Sequence, residues 1–440
     1  MSTESNKVRP AELLDDYSGP FDPELTLAGF SRKLLAPLGR EYLLHGHLQD
    51  RVGIPLVLAR HSRQDMLDVA IEEWMAASPL YSLRTQRALD FGNGDVPTIF
   101  KNIQLDIGAP HQFMDFQYKV ADPEHGEFWL AHCGALMDVE PMGEEFVHGM
   151  CHDIEDPTFD ATAGATNPYA QVRPIHRPPR VPSDRAPHCH WRVDIVNDDP
   201  PVEPHPSMKI VGESEIARIA IDDPGVDAEP GGWFDYSGDF DPDFTLEDLS
   251  HRALVVALQE AAVQTHLLAH AYLYCVAKRW GPEEALANAP QVATGTCGVS
   301  AGRIPAVLGI TGSDAEAVAK LLQMHPLFQP RTYVSLAIEV LDEDTVRFAL
   351  LDSPCFGEQD GFSWFESAAA EPWPVLDEIA RAINPRASSV VDTTRAGEHL
   401  AWRIVIDPDA EPARPSPNTD LARISTGATV TFLPRRSLRR

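Results

Sequence analysis

The 440-residue sequence predicts an α+β fold made by tandem duplication of one domain. Each copy should hold N-terminal helices followed by a mostly antiparallel sheet with a helix. Three observations carry this reading. Residues 16–27, DYSGPFDPELTL, recur as residues 235–246, DYSGDFDPDFTL, identical at nine of twelve positions at an offset of 219. Later landmarks keep their order: Phe128 aligns with Phe348, Asn167-Pro168 with Asn384-Pro385, Trp191-Arg192 with Trp402-Arg403. In both copies helical periodicity comes first and hairpin alternation follows, which is the α+β order. The boundaries read as 1–200 for the first repeat, 201–225 for a Pro/Asp-rich linker and the start of the second, 226–408 for the second repeat, and 409–440 for a tail. Each repeat is long enough for its own core.

The elements follow in turn. Thr26 can cap a helix with Leu27, Phe30, Leu34, Leu35 and Leu38 on its apolar face, broken at Pro37 and Gly39. Residues 246–280 read as one or two helices without such a break. Residues 113–120 and 127–136 read as a hairpin closed by DPEHG, and 334–341 with 346–351 as its counterpart. Helices are expected over 144–152 and 373–383. A last strand ends each copy near 191–196 and 402–406. The prolines of 198–206 exclude a helix or central strand there. Tyr17 and Tyr236 read as structural turn residues beside Asp-Pro turns.

Composition excludes several function classes. Asp and Glu number 66 against 36 Lys and Arg, a net charge of −30. Such a chain repels nucleic acid and anionic membrane. No apolar run is long enough for a membrane span, and the polar start lacks a signal-peptide core. Six cysteines are too sparse for a disulfide scaffold, so the expected setting is cytoplasmic. No Gly-rich phosphate loop follows a strand. The expected partner is a small-molecule substrate, with a homo-oligomer left open.

The chemistry lies in the difference between the copies. The first carries His132-Cys133, Cys151-His152 and His188-Cys189-His190. The aligned second-copy residues are Asp352-Ser353, Ala368-Ala369 and His399-Leu400-Ala401, so all three cysteines are lost. Twelve of the 17 histidines fall in residues 1–219. Thiolates and imidazoles are ligands for zinc and iron, and also parts of an activated thiol nucleophile. Asp153, Glu155 and Asp156 can supply a carboxylate ligand or a general base. Against this, a free Cys is often a buried small hydrophobe. Strand alternation turns Cys133 away from His132, and Cys189 away from His188 and His190. One site would then use cysteines or histidines, and Trp191 on the Cys189 face favours the cysteines. A second candidate is His266 with His270, at a metal-competent i, i+4 spacing, although the alignment of His47 with His266 suits a structural role.

A strand ending in Cys133, a helix bearing Cys151 with Asp153 two residues on, an Arg-bearing strand and a further strand with Cys189 occur in that order, after Ile107-Gly-Ala-Pro110. Over residues 25–196 this order resembles the L-2-amino-thiazoline-4-carboxylic acid hydrolase-like family. The tandem arrangement departs from a single-domain member. The resemblance implies opening of a thiazoline-type ring or a related C–N or C–S hydrolysis. The expected function is therefore a hydrolase-like small-molecule enzyme, with Cys133, Cys151, Asp153 and Cys189 as catalytic residues and Zn or Fe as the candidate cofactor. The metal ligands would come from Cys133, Cys151, Cys189, His132, His152, His188 and His190. The alternatives are a metal-dependent lyase, hydratase or oxygenase and, from another class, a non-catalytic protein binding a metal or small ligand.

Overall fold

The protein is described by a computed structural model covering residues 13–368 and 373–433. The first half opens with α1 (Arg32–Leu48), which runs through Gln49 into α2 (Asp50–Arg60). α3 (Arg63–Ala88) returns alongside, started by a Ser62/Asp65 capping box, and the short α4 (Val96–Ile103) follows. Next come the hairpin β1 (Met114–Asp122) and β2 (His125–Cys133), then α5 (Gly134–Val139) and α6 (Glu144–His148). A π-helical turn (Gly149–Ile154) leads into α7 (Glu155–Thr166). The strands β3 (Ala170–His176) and β4 (Cys189–Ile195) complete the sheet, and α8 (Pro206–Val211) and α9 (Glu215–Arg218) trail from it.

The second half repeats the order. It has α10 (His251–Trp280), α11 (Pro282–Leu308), α12 (Ala315–Met324), β5 (Leu336–Asp342), β6 (Thr345–Leu351), α13 (Pro374–Arg381), β7 (Ala387–Val391), β8 (Glu398–Ile406) and a trailing α14 (Pro417–Ala422). Among the described residues the strands form two four-stranded antiparallel sheets, β1-β2-β4-β3 and β5-β6-β8-β7. Phe128 pairs with Trp191 in one and Phe348 with Trp402 in the other. A helix covers each inner face: Phe159 of α7 meets Trp191 edge-on at 5.0 Å, and Trp373 at the start of α13 stacks on Trp402 at 5.8 Å. α10 is buried on nearly every face, as a helix apolar all round must be.

The halves exchange contacts in matched pairs. Tyr17 donates to Gln323 at 2.6 Å, and Tyr236 donates to Gln104 at 2.7 Å. Lys320 caps the Gly19 carbonyl, and Lys101 caps that of Gly238. Arg84 pairs with Glu260 at 2.9 Å, and Arg303 with Glu41 at 2.7 Å. Each partner set repeats at the sequence offset of 219. The repeated DYSG segment is thus a clasp laid on the opposite half, and its Tyr is a structural residue with a long-range partner.

Two sequence expectations need correction. α1 is not broken at Pro37 or Gly39. Gly39 serves close approach instead, because a Cβ there would stand 2.8 Å from Leu246 and 2.9 Å from Leu258. The helix expected over 144–152 ends at His148 and passes through the π turn into α7. α3 and α11 carry internal prolines and irregular polar positions, so periodicity alone did not mark them. The tail packs on the body as far as it is described: α14 docks on α11, and Ser425 and Thr426 bind the first half. Its basic end, 434–440, lies outside the described residues, as do residues 1–12.

Candidate functional site

α1, α2, α3, the loop after α4, β1 and the segment from α5 to α7 enclose a cavity of about 380 Å³ in the first half. Its wall is mainly apolar, with Met66, Leu67, Met114, Phe116, Phe146 and Phe159 among the lining residues. Leu421, Ile424 and Ser425 of the trailing segment close one side. In the second half the corresponding interior holds rings: Phe365 and Tyr333 flank His266, and Phe362 meets His270 edge-on at 6.2 Å.

Four carboxyl groups line the cavity, those of Glu155, Asp50, Asp106 and Asp138. Glu155, on the first turn of α7, is pushed up to about 8 by burial, against the pull of Arg177. Its Oε2 is buried without a hydrogen-bond partner. Asp50 is raised to about 6 by burial; its Oδ2 accepts from Trp74 Nε1 at 2.8 Å and its Oδ1 has no partner. Asp106 is also raised to about 6 by burial, while accepting from Tyr81 at 2.9 Å and from the Gly108 amide at 2.7 Å. Behind Asp50, fully buried Glu73 has neither oxygen partnered, and burial holds it far above the usual carboxylate range. Arg51 is already matched: its Nε lies 3.0 Å from Asp138 Oδ2. Asp138 also accepts from Ser425 Oγ at 2.6 Å and the Thr426 amide at 2.7 Å, which ties the trailing segment to the cavity.

The sequence candidates fall around this cavity in a definite way. Cys133, Cys151 and Cys189 all face inward and are at most 5% exposed. None of them lines the cavity wall. Burial raises all three thiols, Cys133 to about 12, and the charge of Glu155 raises each further. All three thiols are thus near enough to feel the Glu155 carboxylate. Cys133 Sγ accepts the Leu136 amide at 3.2 Å as the cap of α5. Cys151 and Glu155 are four residues apart and share one helical face. Asp153 instead sits 40% exposed on the other side, 3.6 Å from His148.

The histidines have other partners. His132 is exposed and lies 5.5 Å from the His188 ring. His188 Nδ1 accepts from the Cys133 amide, His190 meets Glu127 at 3.0 Å, and His152 bonds the Pro178 carbonyl at 2.7 Å. Among the described residues only His270, Glu358 and Asp360 bring three candidate ligand atoms within 4.8 Å of one another. The Cys133/Cys151/Cys189 set does not do so, alone or with His132, His152, His188 or His190. His266 takes no part in the His270 group; it bonds the Gln329 carbonyl, and burial lowers it to about 4. His270 Nε2 lies 3.1 Å from Asp360 and Nδ1 3.9 Å from Glu358. Glu358 also accepts the Glu215 and Ile216 amides at 2.8 and 3.0 Å. This is the place that Arg51, Asp138 and the trailing segment occupy in the first half.

Raised thiols hold their protons at neutral pH and react slowly. A disulfide reagent such as DTNB should therefore release none of the six buried, free thiols quickly from native protein. All should appear together with unfolding in urea. A single fast thiol assigned by mass spectrometry to Cys133, Cys151 or Cys189 would restore the nucleophile reading.

Compared with family models, with curated proteins and with solved structures, the chain matches none.

Proposed function

We propose that the chain is a small-molecule enzyme of hydrolase type, with its site in the first-half cavity and Glu155 as the acid. One observation carries this: a carboxyl raised to about 8 by burial, with one oxygen buried and unpartnered, lies in the wall of a mainly apolar cavity. An acid still protonated near neutral pH can hand its proton to a leaving nitrogen or sulfur while water adds at the adjacent carbon. In this reading Cys133, Cys151 and Cys189 hold Glu155 in a dry setting and do not attack the substrate. The resemblance to the thiazoline hydrolase-like family points the same way, toward opening of a thiazoline-type ring.

The matched contacts between the halves support a tandem duplication in which the first copy kept an open site. In the second copy, Ala269 stands where the first has Asp50, and Val292 where it has Glu73. The metal-dependent lyase, hydratase or oxygenase reading rests on His270, Glu358 and Asp360, a donor set that suits zinc or iron. Elemental analysis of purified protein tests it: one Zn or Fe per chain, lost in His270→Ala, would move the chemistry to the second half.

The hydrolase reading is tested with 2-amino-thiazolines, whose basic head is a cation near neutral pH, scored by loss of substrate and by the thiol or amine that ring opening releases. Wild type should turn over, and Glu155→Gln should lose at least about a hundredfold, the usual share of a general acid. Asp153→Asn should keep its rate. Equal turnover by wild type and Glu155→Gln would remove Glu155 from the chemistry, and no turnover across the series would remove the hydrolase assignment.

A further inference from the structure

Apart from Asp138, which pairs with Arg51, four carboxyl groups lie in or directly behind the cavity: Asp50, Asp106 and Glu155 in its wall, and Glu73 behind Asp50. None of the four has an ion-pair partner among the described residues, and the nearest arginine of the wall, Arg51, is spent on Asp138. Asp50 and Asp106 share a pole, since both act on the buried Tyr81 hydroxyl. Buried charges are ordinarily paired. An apolar chamber with uncompensated carboxylates at one end is therefore complementary to a molecule with an apolar body and one positive head.

We propose that the cavity binds a small hydrophobic ammonium, its charge against Asp50 and Asp106 and its apolar body against the Met- and Phe-rich wall. The proposal rests on the reading of this cavity as the site, and it adds the class of ligand. Asp50 Oδ1 is buried without a partner, so Asp50 acts on the ammonium through its charge. Asp106 Oδ1 already takes two hydrogen bonds, which leaves its Oδ2 as the acceptor for the ammonium. Arg63 also lines the cavity, but its Nε pairs with the exposed Glu145 at 3.1 Å. The interior is left acidic.

The test uses full-length protein and three ligands of one chain length, n-hexylamine, n-hexanol and hexanoate, titrated by calorimetry near neutral pH. The amine should bind about tenfold or more tightly than the alcohol, the range of a charge-assisted hydrogen bond, and hexanoate most weakly. Asp50→Asn should erase the preference for the amine and leave hexanol binding unchanged. Its melting temperature should not fall, because it loses an unpaired buried charge; if it does fall, Asp106→Asn is read in its place. Hexanol or hexanoate binding as tightly as the amine would overturn the ammonium proposal and leave the cavity as a site. Absence of binding by all three would overturn both.

Discussion

Glu155→Gln will be more stable than wild type at neutral pH, and the gain will grow as pH rises. The carboxyl sits at about 8 in the fold against an ordinary value of 4.5. Between those values the folded chain keeps a proton that the unfolded chain has released. Stability therefore falls with rising pH across this window. At 1.36 kcal/mol per pH unit, the cost accumulated from 4.5 to pH 7 is about 3 kcal/mol. Gln abolishes that titration. Urea unfolding of both proteins near pH 4.5 and pH 7.5 measures it. The two should coincide at acid pH, and the variant should lead at the higher one. Together with the expected loss of turnover, this is the signature of a group strained for function. A variant less stable than wild type at both pH values would make Glu155 an ordinary structural carboxylate.

Arg84→Ala will be destabilised by about 3–5 kcal/mol, the range for removing one partner of a buried pair. Arg84 binds Glu260 through both Nε and Nη2, and its Nη1 also holds the carbonyls of Ala217 and Ile219 at 3.1 and 2.9 Å. Burial pushes Glu260 up, and Arg84 is what opposes it. Without Arg84 the carboxyl must take a proton, so the deficit should shrink at acid pH. Arg303→Ala is the internal control. It loses the matching pair with Glu41 and a bond to the Ala428 carbonyl at 3.2 Å, at a slightly more exposed site. Equal urea midpoints for Arg84→Ala and wild type would make the exchanged pairs ornamental.

Much of the fold could be read from the repeated DYSG segment and the fixed order of later landmarks. Alternation also placed Cys133 and Cys189 inward. The carboxyl group facing the cavity was legible only in part. Glu155 was in view as one of three acids after Cys151, but spacing along a presumed straight helix did not separate it from Asp153. The four-residue step from Cys151 does. Asp50 and Glu73 went unmarked because a single acid in a helix looks like a solvated face, and Asp106 because it lies in a loop. The comparison of halves that singled out the cysteines would have found two of them, as Ala269 and Val292 stand opposite Asp50 and Glu73. The burial of α3, and the use of residues 417–428 as a wall, depend on contacts far apart in sequence that no local pattern encodes.

That wall has a consequence for synthesis. The ribosome delivers the cavity residues between His47 and Thr162 long before Leu421, Ile424 and Ser425 exist. Until residues 421–425 arrive, the cavity lacks that side of its wall, and Asp138 lacks the Ser425 and Thr426 bonds. The wall of the cavity is thus completed only when residues 421–425 have been made.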